Sequence, residues 1–165
     1  MTRNRWPEEP NRRPTGVAFL LTQLGTHAAQ RFGERIVALG LTPPDAGMLR
    51  KIASDPGISQ QELADHLGIM PSRMVALVDE LERKGIVKRK RSTEDRRSYA
   101  LALTTDGRQV LRELSHVAAD HEQALCAGLS EEEKLQLGDL LRRIAEEQGL
   151  KPGVHPGYRQ LGNKQ

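Results

Sequence analysis

The residues best placed to do chemistry lie between Ser59 and Arg97. Ser72, Arg73 and Ala76 fall on the polar side of the run Pro71 to Gly85, whose apolar residues Met74, Leu77, Val78 and Leu81 recur at i, i+3, i+4, i+7, the spacing of one buried helical stripe. A guanidinium at Arg73, near the start of a helix, has the fork geometry to make two hydrogen bonds to guanine O6 and N7, and the Ala76 methyl matches a thymine methyl. Such a contact discriminates by roughly 1–3 kcal/mol. Downstream, Lys84 to Arg97 holds seven basic residues (Lys84, Lys88, Arg89, Lys90, Arg91, Arg96, Arg97) against two acidic ones, a density suited to a phosphate backbone.

The elements needed to position these groups are legible. Pro71 suits the first helical turn and Gly85 a left-handed stop. Ser59-Gln60-Gln61-Glu62 is a capping box opening a helix from Ser59 to His66, and Leu67-Gly68-Ile69 leaves only a tight turn before the next helix. That pair predicts a helix-turn-helix. Ile86–Arg91 and Ser98–Leu103 alternate at period two, so they predict a hairpin with a charged tip at Ser92–Arg97. The whole is a winged helix. Ser59, Gln60 and Gln61 become candidate phosphate donors, and Arg83, Lys88, Arg89, Lys90, Arg91 and Arg96 candidate backbone contacts. Arg97 is the candidate for a narrow, electronegative minor groove, oriented by Asp95 through a charge-assisted hydrogen bond.

The stretch resembles the MarR (multiple antibiotic resistance regulator) family of bacterial transcription regulators. Asp95-x-Arg97, five residues, then Leu103-Thr104 matches that family's wing signature, and Leu81-Glu82-Arg83-Lys84-Gly85-Ile86-Val87 resembles the exit of its recognition helix. The helix order from about Thr15 to Glu147 also fits. The resemblance implies the same roles for Asp95 and Arg97, and a two-fold dimer. At Val75 and Ala76 the chain departs from the Thr and polar residues common in the family, so no base preference carries over.

A mainly α (α+β) winged helix-turn-helix with dimerisation helices at both ends is therefore expected. Residues 1–14, with Arg3, Arg5, Arg12, Arg13 and three prolines, are expected to form a flexible basic arm. Residues 15–40 and 104–148 are expected to form the dimerisation region, 41–103 the DNA-binding region, and the Gly- and Pro-rich 149–165 a loose tail. Val17, Leu20, Leu21 and Leu24 on the first helix, and Leu137, Leu140, Leu141 and Ile144 on the last, are the candidate dimer interface. Two-fold pairing would set twin recognition helices about 34 Å apart and so call for an inverted-repeat duplex.

The same reading excludes other classes. At 165 residues the chain suits one domain, and its net charge of +3 does not by itself demand a nucleic acid. Its single Cys126 allows no internal disulfide and fits a reducing interior. No apolar run nears the ~18 residues of a membrane span, and the start lacks a secretory h-region, so a cytoplasmic protein is expected. No G-x-S-x-G, phosphate loop, H-E-x-x-H or CxxC is present, so neither an enzyme nor a cofactor is expected. His116 and His121 lie about 140° apart on a helix, poor geometry for one metal. A winged helix used for protein contact is the alternative, but it would call for an uncharged tip. MarR-like proteins often bind a small, frequently aromatic or phenolic ligand between dimerisation helices and winged domain; His27, Phe32 and Met48 are the candidates for such a cleft.

Overall fold

The computed structural model describes residues 16–91 and 99–158. In chain order these form α1 (Val17–Ile36), a single 3₁₀ turn (Val37–Leu39), α2 (Pro43–Ser54), α3 (Gln60–Leu67), α4 (Pro71–Arg83), β1 (Val87–Arg91), β2 (Tyr99–Leu103), α5 (Thr105–Leu125) and α6 (Glu131–Glu147).

Local chemistry fixes the element boundaries. Asp45 accepts the Thr42 backbone N–H at 2.9 Å at the start of α2, which explains why it is the buried charged residue among those described. Ser59 and Glu62 make the expected reciprocal cap on α3, and Ser130 and Glu133 make the same cap on α6. Each pair holds its glutamate below the usual carboxylate range, because the capped backbone N–H and the serine both favour the charged form. Left-handed glycines end the helices: Gly68 after α3 (φ 67°) and Gly85 beyond α4 (φ 72°).

β1 and β2 pair antiparallel with Val87 opposite Leu103 and Arg91 opposite Tyr99. The Leu101 N–H donates to Ile58 O at 2.8 Å, and Ser59 bridges Ala100, so the approach to α3 lies along the outer edge of the hairpin. Thr104 locks the return. Its hydroxyl donates to Gly85 O at 2.6 Å and accepts the Gly107 N–H at 2.9 Å, capping α5 while holding it to the exit of α4. Gly107 is required there, since a Cβ would stand 2.0 Å from Ile86 O.

The core sits among α2, α3, α4, the hairpin and the middle of α5. Leu49, Leu63, Leu67, Met74, Leu81, Leu101 and Leu114 are all within 2 % of full burial. Each such side chain contributes roughly 1.5–3 kcal/mol relative to an exposed one. The outer helices differ: only Ile36 of α1 is buried, and nothing in α6 is.

The expected loose tail is corrected over its first part. Lys151–Tyr158 lies along α2 and α3, with Tyr158 only 8 % exposed and Val154 packed on the core. An aromatic ring that finds a socket overrides the local Gly and Pro signal. Residues 159–165, like the basic arm over 1–14, fall outside the described residues.

Candidate nucleic-acid interface

α4 presents the face that its apolar spacing predicts. Met74, Val78 and Leu81 are buried, while Ser72, Arg73 and Ala76 are exposed. Val75 joins them at 42 % exposure and Met70, the residue before the helix, at 55 %. Sequence reasoning left these two out of the site. The signal was there, because Val75 lies off the buried stripe and an apolar residue in that position must meet solvent or a partner.

At the start of α3, Ser59 is half-buried and engaged in its cap, with its hydroxyl accepting the Glu62 N–H at 3.2 Å. Gln61 is exposed and donates to Asp65 at 2.9 Å. Gln60 accepts from Arg89 at 3.0 Å through its amide oxygen.

Arg89 departs from the expectation of a free backbone contact. Its guanidinium donates to Asp79 at 2.5 Å, to Glu82 and to Gln60, and its backbone N–H donates to Glu82 at 3.1 Å. Burial alone would depress the guanidinium; its hydrogen bonds to Asp79 and Glu82 outweigh it and leave its pKa raised. The cause is strand periodicity. Val87 points into the core, and Arg89, two residues on, shares that side and meets α3 and α4. Arg89 is therefore a brace between recognition helix and wing.

Lys88 and Lys90 occupy the opposite side of β1 and are exposed, as is Arg91. Arg83 is exposed and held in a two-pronged pair by Glu80, at 2.9 and 2.7 Å. That hydrogen bond moves the Glu80 carboxyl down and the Arg83 guanidinium up. A fully solvated pair of this kind is weak and can exchange its carboxylate for a phosphate. Lys84 donates to Gly40 O at 2.9 Å, so it ties α4 to the entrance of α2. The expected contacts Asp95, Arg96 and Arg97 lie outside the described residues.

Of the cleft candidates, the structure brings Phe32 alone to a cavity, one of about 740 Å³ shared with α2 and the C-terminal segment. Met48 is corrected: it is 0 % exposed, a core residue on the inner side of α2 with no face to offer a ligand. His27 is exposed on α1 and does not line that cavity. Phe32 also meets the His121 ring at a tilt, with centroids 5.6 Å apart, and that imidazole is depressed by burial and then by Arg35. Among the described residues no cluster of His, Cys, Asp or Glu could hold a metal ion, and no helix is long and apolar enough to cross a membrane.

Comparison with known proteins agrees with this geometry. A model of the MarR family matches residues 39–98. A Thauera aromatica protein named as a transcriptional regulatory protein for the hcr operon is 37 % identical over 137 residues, 82 % of each chain. The transcriptional repressor CouR, solved bound to a 23-mer DNA duplex, superimposes with a TM-score of 0.70 at 32 % identity, over 79 % of this chain and 92 % of that one. Apo MarR of E. coli gives a TM-score of 0.70 at 22 % identity, over 81 % and 98 % of the two chains, which speaks to the fold alone.

Proposed function

This chain belongs to the MarR family of transcription regulators, and from that premise we propose that it is a homodimeric repressor of an inverted-repeat site in duplex DNA, released by a small ligand. The observation that carries the DNA reading is the exposed face Ser72, Arg73, Val75 and Ala76 beside the exposed Lys88, Lys90 and Arg91. Helix and wing together offer a rod for the major groove and a basic flank for the phosphates.

In this reading Arg73 makes the polar base contact, and Val75 with Ala76 gives apolar contact to thymine methyls. Gln60 and Gln61 reach phosphate from the start of α3, Lys88, Lys90 and Arg91 follow the backbone, and Arg97, oriented by Asp95, enters the minor groove. Residues 41–103 form the DNA-binding region, and 15–40 with 104–148 the dimerisation region. The bare apolar surface of α1 and α6 supports the dimer: Val17, Phe19, Leu20, Leu24, Leu135, Leu137, Leu140 and Ile144 are each exposed by 39 % or more. The cavity beside Phe32, between α1 and the winged region, supports the ligand.

Selection of bound fragments from random DNA, followed by footprinting, tests the reading. The expected product is an inverted repeat with half-site centres about one helical turn apart. On that site Arg73→Ala should lose roughly 1–3 kcal/mol of discrimination at one base pair per half-site. Arg97→Ala should weaken binding and flatten preference at A·T-rich flanks. Unchanged affinity in both variants refutes the contact assignment.

A further inference from the structure

α4 carries two stripes. Met74, Leu77, Val78 and Leu81 pack on the core, and Ser72, Val75, Ala76 and Asp79 repeat the same i, i+3, i+4, i+7 spacing two residues out of step, about 200° around the helix. All four residues of this outward stripe are exposed. Lys88 and Lys90, exposed on the adjoining strand β1, supply the charge that would hold it against a duplex.

Base pairs differ mainly in the hydrogen-bonding groups of their edges, so a stripe that reads them is expected to carry donors and acceptors. Here that capacity is thin. Asp79 has the carboxylate that could accept from cytosine N4, but the Arg89 guanidinium already grips it at 2.5 Å. Ser72 adds a small hydroxyl at the helix start. Between them Val75, 42 % exposed, and Ala76 present only methyl groups. In the major groove the apolar counterpart of a methyl is the C5 substituent of a pyrimidine. Thymine carries a methyl there, and uracil and cytosine carry hydrogen. 5-Methylcytosine carries the same methyl on a C·G pair.

We propose that Val75 and Ala76 read the pyrimidine C5-methyl group itself, so that 5-methylcytosine substitutes in part for thymine and C5 methylation of cytosine within a binding site is a signal this chain registers. A site that binds poorly because it holds C·G in place of T·A gains affinity once that cytosine is methylated. This deepens the DNA reading above and rests on it, adding the chemical group to which the helix responds.

The test uses the full chain and the inverted repeat obtained by selection, with its thymines replaced one position at a time by uracil, which removes the methyl and nothing else. At one position per half-site uracil should weaken binding about fourfold, and roughly fifteenfold when both half-sites carry it, the effect of one buried methyl acting twice. At that position C·G should weaken binding at least about tenfold, and 5-methylcytosine opposite guanine should recover at least about threefold. Val75→Ala should bring the thymine-to-uracil ratio from about fourfold to below about twofold, whereas Arg73→Ala should leave that ratio intact. The uracil scan uses the unaltered chain, so it decides even if Val75→Ala disturbs α4. Equal binding of uracil at every thymine position, equal binding of cytosine and 5-methylcytosine, or an unchanged ratio in folded Val75→Ala overturns the proposal. A chain that binds its selected inverted repeat but is blind to these methyls refutes this inference alone; a chain for which selection yields no duplex refutes the regulator reading and this inference with it.

Discussion

The winged region and the terminal helices solve the same problem in opposite ways. α2, α3, α4 and the hairpin bury Leu49, Leu63, Met74, Leu81 and Leu101 against one another, so their apolar surface is satisfied within one chain. α1 and α6 have comparable amphipathic spacing, yet Leu24 is 54 % exposed, Leu135 73 % and Leu140 53 %. A helix of 17 residues with no buried side chain gains little from packing, and capping alone contributes only about 1 kcal/mol. The winged region is thus complete as a monomer, whereas the ends make physical sense only with a second copy.

The strongest way to break that contrast is to charge the bare face. Leu24→Asp combined with Leu140→Asp should abolish the dimer and lower operator affinity by orders of magnitude, while the winged region stays folded. Sedimentation alongside near-ultraviolet circular dichroism checks both halves. Met74→Ala, inside the closed core, should cost about 2–5 kcal/mol by chemical denaturation, in monomer and dimer alike. Arg89→Ala should cost less, about 1–2 kcal/mol, because the carboxylates it abandons are partly solvated, yet it should loosen the wing and reduce duplex affinity. A gel-shift series with a parallel melt separates the two effects.

The smallest effect concerns the segment Lys151–Tyr158, where a Cβ on Gly47 would lie 2.1 Å from the Tyr158 hydroxyl oxygen. Burial raises the Tyr158 phenol above its ordinary 10.0, with Asp45 adding to the rise and Arg50 opposing it. A raised folded-state value means that docking favours the protonated phenol, so its contribution is whole below pH 10.0 and fades as pH climbs through the folded value. In a Tyr99→Phe background Tyr158 is the remaining tyrosine of the chain's two, and its ultraviolet titration should return to the ordinary value on Gly47→Ala.

Most of the architecture was legible because it is written locally. The caps at Ser59 and Ser130, the glycine stops and the stripe Met74, Val78, Leu81 are all settled within a few residues, and each element stands where these signals put it. The candidate site was legible on α4 and less so on the wing. A run of basic residues does not say which ones are free; period-two alternation does, and it separates Arg89, on the side of buried Val87, from exposed Lys88 and Lys90. Met48 shows the limit of helical spacing, which marks a residue as inward-facing without telling a core from a cavity. The packing of Tyr158 on Gly47 was out of reach altogether. It joins two positions more than a hundred residues apart, with only glycine on one side, and nothing near either announces the other.

With Gln60, Asp79 and Glu82 all gripping one guanidinium, the hairpin and the helix beside it cannot be retuned separately. Thr104 welds the far end of the same block to Gly85. Any motion of one of them therefore carries the block whole, like a hand turned at the wrist with the fingers held stiff.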